Sequence, residues 1–100
     1  MKTKEQIISF LIDNKNYFRE NFNIVRIGIF GSYSRGDNTT TSDIDLLVEF
    51  EDGTIDLYDK KCKLKAYIKE NLCLDADICR EKYIKPRFKA SILKEARYAY

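Results

Sequence analysis

The chain has 100 residues, with 18 Lys and Arg against 16 Asp and Glu, and a formal charge of +2 is too balanced for nonspecific adhesion along a nucleic acid backbone. A chain of this length buries only about 60 to 70% of the surface its unfolded form exposes, so one domain over residues 1–100 is expected, without direct nucleic-acid binding. Three Cys (62, 73 and 79), no His and no Cys-x-x-Cys exclude the usual zinc sites, and the absence of an apolar leader or of a span near ~20 apolar residues leads us to expect a reduced, soluble, cytoplasmic protein without membrane attachment.

In chain order, Thr3 and Gln6 form the pattern of a capping box, and Ile7, Ile8, Leu11, Ile12 and Phe18 recur at helical spacing. They predict one amphipathic helix from residue 4 to about 20 whose apolar stripe covers a sheet. Ile24 to Phe30, broken only by Arg26 and Gly28, reads as a buried strand running into a tight turn and a short helix at Gly31-Ser32. From Ser42 to Phe50, Ile44, Leu46, Val48 and Phe50 alternate with Asp43, Asp45, Leu47 and Glu49, the period of a second strand.

Asp52-Gly53 is a turn signal, and residues 54–70 carry Leu57, Tyr58, Leu64 and Ile68 among many charges, a helix crossing back to the next strand. Strands joined in this way are candidates for parallel pairing, and the basic run Lys60–Lys65 reads as a solvated helix face. Asn71 to Cys79 alternates Leu74, Ala76 and Ile78 with Asp75, Asp77 and Cys79 as a third strand, with Cys73 and Cys79 as packing residues at its ends. Pro86 opens a last helix with Phe88, Ile92, Leu93 and Ala96 on one stripe, and Tyr98 and Tyr100 are expected to pack against the core. The sum is an α/β (α+β) fold, a small mixed sheet of about three strands flanked by helices.

The chemistry sits in two places. A Gly directly after a strand lets the backbone approach a ligand closely, and Ser32 at the start of a short helix offers hydroxyl and amide to a phosphate oxygen. Ten residues later, Asp43 and Asp45 share one strand face about 7 Å apart along the chain. At about 4 Å and an effective dielectric near 20, two such charges repel by about 4 kcal/mol, a cost that a bound divalent cation offsets. Asp is depleted from strands, so two in one strand and a third in the next, Asp77 or Asp75, point to metal binding. With no His or Cys in the set, the all-oxygen ligands suit Mg²⁺ or Mn²⁺.

Together these features resemble the minimal nucleotidyltransferase (MNT) family of the DNA polymerase β-like nucleotidyltransferases. Its pattern is Gly-Ser, a ten-residue spacer, Asp-x-Asp, and a later strand Asp; Gly31, Ser32, Asp43 and Asp45 match it without a gap. The family's later Asp precedes two apolar residues, which selects Asp77 (before Ile78 and Cys79) with Asp75 in reserve. Arg35-Gly36 and Ser42 match two further family positions. Tyr33-Ser34 departs from the small residues often found there, and the expectation is a narrower nucleotide pocket.

The resemblance implies the polymerase β-like nucleotidyltransferase fold and a two-metal mechanism, with Asp43, Asp45 and Asp77 as catalytic metal ligands. Gly31, Ser32, Arg35 and Ser42 would then bind the nucleotide. For Arg35 a surface ion pair with Asp37 or another acid remains open, as does an ordering role for Ser42. Family members of this size resemble antitoxins that transfer AMP from ATP to a tyrosine of a HEPN ribonuclease toxin, implying ATP as substrate and a hetero-oligomer with that toxin. The competing readings are an antitoxin that neutralises by binding alone, and transfer to a small molecule.

Overall fold

The computed structural model describes residues 2–100. Its elements are α1 (Lys4–Asp13), α2 (Lys15–Phe22), β1 (Ile24–Phe30), α3 (Gly31–Arg35), β2 (Ile44–Phe50), α4 (Leu57–Leu72), β3 (Ala76–Arg80), a 3-10 turn (Glu81–Tyr83), α5 (Pro86–Glu95) and β4 (Arg97–Tyr98).

The sheet is mixed, in the order β3-β2-β1-β4, with β1 antiparallel to β2 and β4 and with β2 parallel to β3. The crossover through α4 makes the parallel pair, as expected of two strands separated by a helix. A fourth strand exceeds the expected three. It forms because Gly28 has no Cβ: one built there would lie 2.8 Å from the Arg97 carbonyl oxygen and from the Tyr98 Cα, so only a glycine lets β4 lie so close. Tyr98 and Tyr100 do pack. The Arg26 guanidinium lies 3.6 Å from the Tyr98 ring centroid, and Tyr100 joins the edge of the core.

One helix expected from residue 4 to about 20 is two. Asn14 leaves helical geometry, its side-chain amide donates to the Phe10 carbonyl at 2.8 Å, and its Oδ1 accepts from the Tyr67 hydroxyl at 2.6 Å. This local side-chain bonding competes with the helix ladder and turns the chain. The turn brings Phe10, Tyr17, Phe18 and Phe22 around Tyr67 of α4. The capping box at Thr3 and Gln6 is present as read.

The third strand starts later than its alternation suggests. Residues 71 and 72 extend α4, and Cys73 closes it in the left-handed region (φ 58°), so pairing begins at Ala76. Cys73 and Cys62 are exposed, Cys79 is half-buried, and all three are free thiols.

One sheet face carries the core. Ile27 and Ile29 of β1 and Ile44, Leu46, Val48 and Phe50 of β2 pack with Ile7, Leu11, Phe18, Phe22, Leu64, Ile68 and Leu72 from α1, α2 and α4. Strand alternation then sends Gly28, Asp45, Leu47, Asp77 and Cys79 to the opposite face. Tyr33 is 1% exposed within the core, so its ring does not narrow a nucleotide pocket as expected: on the single turn of α3 it points into the protein. Among the described residues no helix is long and apolar enough to cross a membrane.

Candidate nucleotide and metal site

The site is built where β1 stops. Phe30 is extended, Gly31 turns into the left-handed region (φ 73°), and α3 runs five residues to Gly36, also left-handed (φ 83°). A Cβ on Gly31 would collide with the Asp45 carboxylate, so the turn can press against that acid only because residue 31 is glycine. The Ser32 carbonyl accepts from the amides of Gly36 (2.9 Å) and Asp37 (3.1 Å), which closes the short helix.

The parallel ladder does what spacing alone left open. Asp45 pairs in register with Asp77, and Ile44 with Ala76. Asp75 is turned away: its carboxylate meets Lys69 at 3.4 Å on the surface, while its backbone carbonyl accepts from the Ile44 amide at 2.9 Å. Asp43 lies exposed in the residue before β2. Burial raises the Asp45 pKa above its ordinary value, with the charges of Asp77 and then Asp43 adding to the rise. Arg35 opposes it and Glu95 adds a little more. Burial also pushes the Cys79 thiol up, with Asp77 and Asp45 contributing.

These carboxylates fit a hard divalent cation in donor chemistry, all oxygen and mutually repelling. They are not drawn together into a cage, however. Among the described residues no three His, Cys, Asp or Glu side chains gather closely enough to hold an ion. The expected three-carboxylate arrangement is thus present as a facing pair, Asp45 and Asp77, with Asp43 exposed at its margin.

The remaining expected residues have other partners. Ser42 Oγ accepts from the Thr39 amide at 2.8 Å and lies 3.2 Å from the Thr39 hydroxyl, so it orders the loop entering β2. Arg35 is in ion pairs on both sides, Nε with Asp37 (3.1 Å) and Nη1 with Glu95 (3.0 Å), and both hydrogen bonds raise its pKa, that to Asp37 more. Glu95 went unread in the sequence. It also accepts the Gly31 amide at 3.0 Å, and its backbone carbonyl accepts from the Ser34 hydroxyl. The one available signal was an acid at a helix C-terminus, the end that the helix dipole makes unfavourable for it.

A cleft of about 340 Å³ opens on the same side of β3, lined by Cys79, Tyr83, Phe88 and Ile92 among others, and α5 above it carries no buried residue.

Residues 12–99 match the model of the nucleotidyltransferase domain family. The protein adenylyltransferase MntA of Thermococcus cleftensis is 37% identical over 98 residues, covering 98% of this chain and 97% of that protein. A solved structure described as a candidate minimal nucleotidyltransferase superposes with a TM-score of 0.75 at 29% identity, covering 96% of this chain and 95% of its own. Two more distant structures share the fold. One is a toxin–antitoxin crystal structure with AMP-PNP, at 22% identity, TM-score 0.68, and 99% and 73% coverage. The other is a complex of an MNT antitoxin with the tri-AMPylated HEPN toxin of Shewanella oneidensis, at 18% identity, TM-score 0.61, and 93% and 71% coverage. The chain belongs to the nucleotidyltransferase family and, within it, to the minimal nucleotidyltransferases.

Proposed function

We propose that this protein is an antitoxin that transfers AMP from ATP to a tyrosine hydroxyl of a HEPN-type ribonuclease toxin. The observation that carries the reading is the register of Asp45 with Asp77 on a face where the Gly31 turn abuts Asp45. It supports the reading by bringing a glycine turn and two facing carboxylates together. The adenylyltransferase name of the Thermococcus relative and the AMPylated toxin in the Shewanella complex support the choice of AMP and of partner.

In this reading Asp43, Asp45 and Asp77 would hold two Mg²⁺ ions, which would neutralise the triphosphate and acidify the acceptor hydroxyl. Ser32 and the turn amides bind the β- and γ-phosphates and leave the α-phosphorus open to in-line attack. The tyrosine oxygen forms a bond to the α-phosphorus as the bond to the bridging oxygen of the β-phosphate breaks. Asp77 takes the hydroxyl proton, pyrophosphate leaves, and Arg35 meets the charge that develops on it.

Intact-mass spectrometry of the product of the neighbouring gene, incubated with this protein, Mg²⁺ and ATP, tests the proposal. Mass gains in whole AMP units that vanish with the Asp43→Asn, Asp45→Asn double variant are expected. No gain, with tight complex formation by both forms, refutes catalysis on that partner. One observation favours this second reading, neutralisation by binding alone: the three acids are not gathered at chelating distance.

A further inference from the structure

Glu95, the last residue of α5, is tied by three hydrogen bonds to a segment 60 to 64 positions away in the chain. Oε1 accepts from the Gly31 amide and Oε2 from Arg35 Nη1, each at 3.0 Å, and the backbone carbonyl accepts from the Ser34 hydroxyl. The place is unfavourable for a carboxylate, which stands at the negative end of a helix.

A neutral side chain could keep the bond to the Gly31 amide without that cost, so the negative charge calls for a use of its own. Arg35 supplies one. Its side chain is half exposed, yet Asp37 holds Nε and Glu95 holds Nη1. A guanidinium has five N–H donors, and these two contacts leave three, the Nη2 pair and one on Nη1, for phosphate oxygens. A planar group held at Nε on one side and at Nη1 on the other has its plane and direction set, which leaves less rotamer freedom for nucleotide binding to remove.

We infer that Glu95 is a positioning residue of the nucleotide site. Through one carboxylate it fixes both the Gly31 turn and the Arg35 guanidinium for the triphosphate. The inference rests on the nucleotidyl-transfer reading and deepens it.

The test compares wild type, Glu95→Gln, Arg35→Ala and the double variant by calorimetric titration with ATP and Mg²⁺ and by transfer kinetics. Gln keeps an acceptor for the Gly31 amide but turns an NH₂ toward Arg35, so its fold should be retained. The expected result for Glu95→Gln is a nucleotide Kd raised about tenfold, the size of a lost charge-assisted contact, together with a fall in kcat because Arg35 also meets the charge on the leaving pyrophosphate. Placed on Arg35→Ala, the same substitution should add nothing.

Equal losses in both backgrounds, tracking a lowered melting temperature, overturn the inference in favour of a plain staple. Tighter nucleotide binding by Glu95→Gln also overturns it, because the carboxylate would then be a competitor for the phosphate donors. If Glu95→Gln fails to fold, ¹⁵N relaxation of Arg35 Nε in the wild-type protein decides: a rigid guanidinium before nucleotide is added is expected, and a mobile one refutes the inference. Wild type that binds no nucleotide would instead bring down the underlying reading, so the two failures are distinguishable.

Discussion

The two faces of the sheet are made by the same strands and obey opposite rules. On the face under α1, α2 and α4, side chains from Ile7 to Leu72 are closed off from water. On the face under α5 the same strands present Asp45, Asp77 and Cys79, and the covering helix buries none of its residues. Burial stabilises the first face. On the second, Asp45 and Asp77 are held in register, and the backbone is bent at Gly31 to meet them. The comparison teaches that this sheet gains its stability from one side and holds charge on the other, the arrangement the proposed function requires.

The comparison breaks most readily at the core. Phe18→Ala should lower unfolding free energy by about 3–5 kcal/mol, measured by urea titration, while the Kd for ATP of the remaining folded protein stays near wild type. A large change in that Kd would mean that the faces are not separable. Asp45→Asn is the mirror experiment: transfer activity should fall on the order of 100-fold or more, while the melting temperature in Mg²⁺-free buffer rises.

The sign of that rise follows from the pKa. Asp45 is raised in the folded protein, so its contribution to stability is full below the ordinary value of 3.8 and is lost as pH rises through the folded value. The gap in melting temperature between Asp45→Asn and wild type should therefore open as pH increases from 3.8 toward neutrality, and a gap independent of pH would contradict it. Gly31→Ala sharpens the comparison at a single atom. Its strained φ and the Asp45 carboxylate in its path predict a loss of about 1–3 kcal/mol with impaired nucleotide binding, read by thermal denaturation and calorimetry.

The smallest effect is expected at the edge strand. The Tyr98 hydroxyl bonds Glu81 at 2.7 Å, and burial followed by that bond pushes its pKa up to about 12. Tyr98→Phe should cost about 1 kcal/mol and leave transfer unchanged. The ultraviolet absorbance titration should lose one late-ionising phenol.

Periodicity made much of this fold legible. Alternation in β1 and β2, the crossover through α4 and Pro86 at the start of α5 all follow from short-range rules, because each depends on neighbours within a few residues. The misreadings share a cause. Asn14 breaks the first helix with its side chain held both by the Phe10 carbonyl and by Tyr67, 53 positions later, and β4 exists because Gly28 admits it. Tyr33 read as a wall of the pocket because residue type says nothing of direction on a five-residue helix.

By itself the sequence determined the ten-residue step from Gly31-Ser32 to the Asp pair, the donor chemistry of that pair and the family it marks, since these are properties of residue type and spacing. Only the tertiary structure decided that Asp77 rather than Asp75 faces Asp45, because a parallel register is set by how two strands pack beneath α4. It alone brought Glu95 to the Gly31 amide and to Arg35, contacts across 64 and 60 residues that no local pattern encodes.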